Sequence, residues 1–210
     1  MNVFDCIFNR RSIRKFEKKD VDDKLIGLIL YAGTHAPSAG NVQEWRFVII
    51  KDMEQKEKIA KAAWDQDFIK TAPVVIVVCA DMEKISLKYG ERGEKLYFAQ
   101  DIGACVQNML LAAYALDLGT CYVGAFDDKK ISDILQLPNY IRPVAIIPIG
   151  YPAEKPDMPK RIPIENITYF NYYGKKYEIE YKPLLEYIKM AFKEIEEKVK
   201  LSLKYKKIKL

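Results

Sequence analysis

Apolar residues recur along the chain with two periods, and the switch between them marks the elements. Val21, Leu25, Leu28, Ile29 and Ala32 follow helical spacing and predict a helix over Val21–Ala36, capped by Asp20 or Asp22 and ended by Pro37. "WRFVIIKD" (Trp45–Asp52) is aromatic and β-branched and too short for a buried helix, so it predicts a strand. "APVVIVVCAD" (Ala72–Asp81) is a continuous apolar run of strand length, which implies burial on both faces. A helix over Glu54–Ala63 separates the two. The longest helical pattern runs from Glu94 to Leu118, with Phe98, Ile102, Cys105, Val106, Met109, Leu110 and Ala113 on its apolar face and Gly119 as its stop.

Shorter elements complete the pattern. A helix is expected over Asn2–Phe8, a strand over Thr120–Phe126, a helix over Asp128–Leu135 and a strand over Val144–Pro152. Pro156, Pro159 and Pro163 mark an extended loop. Beyond Pro183, the spacing of Leu184, Ile188, Phe192, Ile195, Val199 and Leu203 predicts an amphipathic helix. There is no internal repeat and no low-complexity segment.

Composition narrows the classes. The 210 residues suit one domain with an extension, and a half-hydrophobic, 30% charged chain is globular in type. No apolar run approaches the roughly 20 residues that span a bilayer, and Met1–Phe8 lacks the features of a secretory leader, so a cytoplasmic protein without membrane contact is expected. The four cysteines form no C-x-x-C pair, and a single histidine, His35, rules out a multi-histidine metal site. No metal is expected, and His35 is read as structural. The net charge of +5 is mostly local: Lys193–Leu210 holds seven lysines against three glutamates, so the body is nearly neutral. That argues against nucleic acid as a partner.

Three stretches carry chemistry. "NRRSIRKF" (Asn9–Phe16) sets Arg10, Arg11, Ser12 and Arg14 just past an opening helix. Guanidinium forks and a hydroxyl suit a phosphomonoester, although a solvated basic turn has the same composition. "APSAGNVQEWRF" (Ala36–Phe47) reads as a helix-to-strand loop, but the amides of Asn41 and Gln43 against Trp45 also suit the edge of a planar heterocycle. "IIPIGYP", ending in Pro148 and Gly150, can bring backbone close to a flat ligand, and Lys160 and Arg161 add phosphate donors beyond it.

Taken together and in this order, the stretches resemble the nitroreductase family of FMN-dependent oxidoreductases. "RRSIRKF" is similar to its opening phosphate and flavin motif, "APSAGNVQEW" to its PS-x-x-N-x-Q-P-W loop, "QDIGACVQNMLLAAYALDLGTCYVGAF" to its central helix and following strand, and "PIGYPAEKPDMPKR" to its closing segment. The resemblance covers about Val3 to Arg161. Glu44 departs from it, standing where the family usually has proline and adding a carboxylate near the expected flavin pocket.

The resemblance implies an α+β fold, with a central mixed, largely antiparallel sheet flanked by helices, in an intertwined homodimer. Residues 1–165 would form the flavin-binding domain and 166–210 an extension packing on the partner. Arg10 and Ser12 would bind the FMN phosphate with Lys160 and Arg161, assisted by Arg11, and Arg14 would reach the N1/O2 edge of the ring. Pro37, Ser38, Ala39 and Asn41 would come from the partner subunit. Pro148, Ile149 and Gly150 would lie under the ring, with Val123 and Gly124 nearby.

It further implies a ping-pong cycle from NADH or NADPH through flavin N5 to a nitroaromatic, a quinone or a similar small acceptor, with Arg14 tuning the charge near N1. No side-chain nucleophile is needed, and no G-x-G-x-x-G follows a strand, so no separate dinucleotide domain is expected. Two alternatives stand beside this reading. One is a specialised flavoenzyme of the same fold, such as a reductive dehalogenase, a flavin-fragmenting enzyme or a dehydrogenating oxidase. The other is a non-enzymatic protein binding polyanions through its lysine-rich tail.

Overall fold

Short polar side chains fix where most helices begin. Asn2, Asp22, Asp52, Asp81 and Asp127 each accept a backbone amide from the first turn of α1 (Val3–Asn9), α2 (Asp23–Thr34), α3 (Met53–Ala62), α5 (Met82–Arg92) and α7 (Asp128–Leu135). At α1 the exchange is reciprocal: the Asn2 amide donates to Asp5 and the Asp5 amide to Asn2, both at 3.0 Å. The structure, a computed structural model, describes residues 2–177. The amphipathic helix expected beyond Pro183 lies outside them.

Four strands, β1 (Trp45–Ile50), β2 (Val74–Asp81), β3 (Gly119–Thr120) and β4 (Ile141–Gly150), form one sheet in the order β1-β2-β4-β3, with every neighbouring pair antiparallel. Val74, Ile76, Val78 and Ala80 of β2 join one core with Ile29 of α2 and Ile102 and Met109 of α6 (Phe98–Ala115). Val75, Val77 and Cys79 join a second core with Ile59 of α3, Ile69 of α4 (Phe68–Thr71) and Ile131 of α7. Helices therefore cover both faces, which is why β2 reads as unbroken apolar sequence although its neighbours are antiparallel. The architecture is α+β, as expected.

Two expectations change in detail. The strand expected over Thr120–Phe126 is regular only at Gly119–Thr120, with one further bridge between Val123 and Ile146. Gly119↔Gly150, Thr120↔Ile149 and Val123↔Ile146 share one register, which sets Cys121 opposite Pro148. Proline has no N–H, so the ladder lapses there and resumes at the paired bonds of Val123 and Ile146, at 3.0 and 2.9 Å. The long helix expected over Glu94–Leu118 opens with a π-helical turn at Gly93–Tyr97 and ends at Ala115. Its stop is Asp117, at φ 60°, with the Leu118 amide closing back on the Ala113 carbonyl at 2.9 Å. Gly119 is small for another reason: a Cβ there would stand 2.8 Å from Ile13.

Helices α4 and α5 are additions to the elements expected from the sequence. The chain divides into two compact units, Met1–Met158 and a second beginning at Pro159. Within the described part of the second, a 3₁₀ turn at Ile164–Asn166 precedes a Tyr169–Lys176 bridge over which Phe170 and Tyr177 stack at 5.1 Å. All four cysteines are buried free thiols. His35 ends α2, its Nδ1 donating to the Tyr31 carbonyl at 2.8 Å. No helix among the described residues is long and apolar enough to cross a membrane.

Candidate functional site

The arginine-rich stretch is a strap laid along the β3 edge. Arg10 caps the C-terminus of α1, its amide bonding the Cys6 carbonyl at 3.0 Å. Arg11 turns back, Nη1 donating to the carbonyls of Phe8 and Arg10, each at 2.7 Å, where a helix C-terminus favours a cation. Ser12 then forms a parallel bridge with Thr120, and the Ile13 amide donates to the Thr120 carbonyl at 2.9 Å. The Arg14 guanidinium lies 5.6 Å from the centre of the Phe68 ring, a cation–π contact.

The closing segment is joined to this strap. Oε1 of Glu154 accepts the amides of Arg14 and Lys15, at 2.5 and 3.0 Å. Phe16 bridges Pro152, and Ala153 donates to the Lys15 carbonyl at 2.9 Å. Pro148, Ile149 and Gly150 are buried in β4, and Val123 is buried while Gly124 is exposed. A Cβ on Gly150 would stand 2.6 Å from the Pro73 ring and 3.0 Å from Phe16, so packing alone demands glycine there. The Cys121 thiol reports the cluster: burial pushes it up, while Arg14, Ser12 and Arg10 act in the opposite direction. The Thr120 hydroxyl is buried beside Ser12 with no hydrogen-bond partner among the described residues. The first and third predicted stretches are therefore brought together up to Glu154. Lys160 and Arg161 belong to the second unit.

The amide loop is built on different elements. Gly40, Asn41 and Gln43 all have positive φ (50°, 59° and 54°), so the backbone coils tightly before β1. Gly40 also lies close against α5, since a Cβ would meet the Tyr89 hydroxyl at 2.2 Å and the Lys88 amine at 2.6 Å, and both side-chain ends would have to move aside. Ser38 Oγ accepts the Gln43 amide at 3.1 Å, and the Ala39 amide donates to Asp101 Oδ2 at 2.9 Å. From α5, Lys88 donates to the Gly40 carbonyl at 2.5 Å and Lys84 to the Gln43 carbonyl at 3.2 Å. Gln43 Nε2 donates to Asn41 Oδ1 at 2.9 Å, which leaves Asn41 Nδ2 and Gln43 Oε1 as a spare donor and acceptor. A cavity of about 510 Å³ opens here, lined by these two amides, Val42, Trp45, Arg46, Lys84 and Lys88. Glu44 points inward and is fully buried.

Within one chain the loop and the strap stand at opposite corners. Ser12 is level with Thr120, Ile149 and Val74 beyond one edge of the sheet, whereas Trp45 pairs with Ala80 at the other edge and the other end. Strand spacings put these points about 19 Å apart across the sheet and about 20 Å along it. Helix α6 gives a second ruler: Asp101, which holds the loop, lies about 21 Å along the axis from Ala115, just ahead of the Gly119 that packs on Ile13.

Glu154, Asp101, Lys84, Lys88 and Phe68 were not found by sequence reasoning. Only Asp101 left a signal, as a charge on the buried face of α6 four residues before Cys105.

The chain is similar to several known proteins. A protein of Methanothermobacter thermautotrophicus, provisionally named NADH dehydrogenase/NAD(P)H nitroreductase, is 36% identical over 162 residues, covering 74% of this chain and 80% of the relative. The NAD(P)H FMN reductase of Bacillus subtilis is 29% identical over 186 residues, covering 80% of this chain and 75% of its own. The structure of NADPH:FMN oxidoreductase from Vibrio harveyi, complexed with NAD+, superposes with a TM-score of 0.77 at 27% identity over 83% of this chain and 79% of that one. The model of the Nitroreductase family matches residues 7–66 and 61–151, the span that carries both the strap and the loop, and the chain belongs to that family.

Proposed function

We propose that the chain is an FMN-dependent oxidoreductase that takes electrons from NADH or NADPH and delivers them to a nitroaromatic, a quinone or a similar small acceptor. The observation that carries this reading is the strap, where guanidinium groups, the Ser12 hydroxyl and the buried Thr120 hydroxyl gather on a backbone pinned by Glu154. That donor set fits a terminal phosphate, and the spare amide donor and acceptor at Asn41 and Gln43 fit the polar edge of a flavin ring. When bound, FMN supplies the two-electron transfer.

The chain's own residues bind and orient. Arg10 and Ser12 hold the phosphate. Arg11 contributes the N–H groups that its helix-capping bonds leave over. Arg14, its backbone fixed by Glu154, directs its guanidinium at the N1/O2 edge, where it favours negative charge in a partly dry pocket. Pro148, Ile149 and Gly150 supply the backbone beneath the ring, with Val123 and Gly124 beside it. The four buried, unpaired thiols fit a reducing compartment such as the cytoplasm.

The opposite corners favour a homodimer. Arg14 and Asn41 cannot reach one ring from that separation within a chain, so Pro37, Ser38, Ala39 and Asn41 serve the flavin held by the partner's strap. The first test is stoichiometry: purified protein should be yellow and release about one FMN per chain on denaturation. Extracted FAD alone, or no flavin after reconstitution, overturns the cofactor. The second is complementation: Arg10→Ala, Arg14→Ala chains refolded with Asn41→Ala chains should regain one intact site of the two. No recovery above either parent, with subunit exchange verified, overturns the shared site.

A further inference from the structure

Glu44 is 0% exposed, and neither of its carboxyl oxygens has a hydrogen-bond partner among the described residues as long as both it and its neighbour are ionised. That neighbour is Asp101, buried on α6 within hydrogen-bonding reach, whose Oδ2 already accepts the Ala39 amide at 2.9 Å. Other charged and titratable groups act on Glu44 or lie against it. Lys84 of α5 has its amine directed at the Gln43 carbonyl, at 3.2 Å. The Cys105 thiol of α6 is pushed up to about 12, chiefly by burial and then by Glu44. Asp81, at the end of β2, donates its amide to the Glu44 carbonyl at 2.8 Å, and its carboxylate is paired with Arg46 at 2.6 Å. Among the described residues, no cation is therefore paired directly with Glu44.

Two adjacent buried carboxyls cannot both be ionised at modest cost, so one keeps a proton. Asp101 receives an N–H, a role that suits an acceptor-only carboxylate, and the proton falls to Glu44. We propose that Glu44 is a positioning residue for the flavin loop: its protonated carboxyl donates to Asp101 and holds Asp101 in the pose that captures the Ala39 amide. The ring contacts of Ser38, Ala39 and Asn41 then depend on a proton that touches neither flavin nor substrate. When Glu44 ionises, the proton leaves to water, the pair carries two like charges, and Asp101 withdraws from Ala39. Burial, with Asp101 adding to it, raises the Glu44 carboxyl to about 7, which brings this change within reach of neutral pH.

The inference rests on the proposed FMN site, and its test separates the two. FMN affinity would be followed by flavin fluorescence from pH 6.5 to 8.5 in the wild type, Glu44→Gln and Asp101→Asn, and the infrared band of a protonated carboxyl would be followed in FMN-free protein. Wild-type affinity should fall above pH 7, approaching tenfold per pH unit for one linked proton. Glu44→Gln, whose amide donates at every pH, should bind as the wild type does at pH 6.5 and lose the fall, whereas Asp101→Asn should bind weakly throughout. Ionisation of the FMN phosphate, near pH 6, affects all three alike. The infrared band should be present at pH 6.5, fade by pH 8.5 and be missing from Glu44→Gln. An unchanged pH dependence in Glu44→Gln, or no such band in the wild type at pH 6.5, overturns the inference. A band that titrates as expected in a protein that binds no FMN supports the shared proton and overturns only the cofactor reading.

Discussion

Glu154 holds the Arg14 amide at 2.5 Å across 140 residues of sequence. The same oxygen takes the Lys15 amide, so one half-buried carboxylate fixes the backbone from which the Arg14 guanidinium projects. Hydrogen bonds to a charged acceptor contribute about 1.5–3 kcal/mol when shielded, and partial exposure reduces this. Glu154→Ala should therefore lower unfolding free energy in urea by about 1–2 kcal/mol and weaken FMN binding. Glu154→Gln, which keeps an acceptor, should recover most of both. Unchanged FMN affinity in Glu154→Ala would mean that Arg14 does not need this anchor.

Arg10 and Arg14 differ in surroundings, one at a helix end and the other over Phe68. Arg14→Ala should lower the flavin reduction potential and slow reduction by NAD(P)H more than it weakens FMN binding. Arg10→Ala should mainly weaken FMN binding, because phosphate contacts do not follow the redox state of the ring. Potentiometry with bound and free flavin, alongside equilibrium dialysis, checks the pair. Equal effects on potential and affinity would reverse or merge the two roles.

Gly150 and Gly124 separate packing from ligand approach. Gly150→Ala pushes a methyl into the Pro73 ring and Phe16 and should destabilise by about 1–3 kcal/mol, as overpacking does. Gly124 has only Tyr122 within ordinary contact, at 3.5 Å, so Gly124→Ala should leave stability unchanged. If Gly124 faces the flavin, the same variant should still lose FMN affinity. Thermal unfolding of both FMN-free variants, followed by flavin titration, resolves the two effects.

Glu44 also makes stability depend on pH. Its folded value, about 7, lies above its ordinary 4.5, so the folded state holds a proton that the unfolded state releases. The contribution is fully present below pH 4.5 and is lost as pH rises to about 7, a change of about 3 kcal/mol. Relative to Glu44→Gln, the wild type should lose ground across that window and not beyond it. Urea denaturation of FMN-free protein at pH 4.5, 6 and 8 measures it. A constant difference between the two proteins would place the proton elsewhere.

The parts legible from sequence are those whose chemistry is local. Helix α7 spans Asp128–Leu135, the range expected from the sequence, and β2 reads directly as a doubly covered strand. The arginine strap and the amide loop announce themselves by residue type. Helix α5 does not: Met82, Ile85 and Tyr89 fall at helical spacing, but of its residues only Ile85 is buried, so its apolar signal is short and weak. The interruption of β3 depends on Pro148, which only the register sets opposite Cys121. Glu154 and Asp101 act across 140 and 62 residues, and no local pattern reports such a contact.

The placing of sulfur bears on how such a protein survives its own work. Reduced flavins pass electrons to dioxygen as well as to their intended acceptors, and the peroxide formed attacks thiolates far faster than thiols. Burial drives Cys79 and Cys105 up to about 12, and it also raises Cys121, which lies beside Ser12 and within the field of two arginines. These three thiols stay protonated and out of solvent at neutral pH, so repeated turnover in air should not convert them to sulfenic acids.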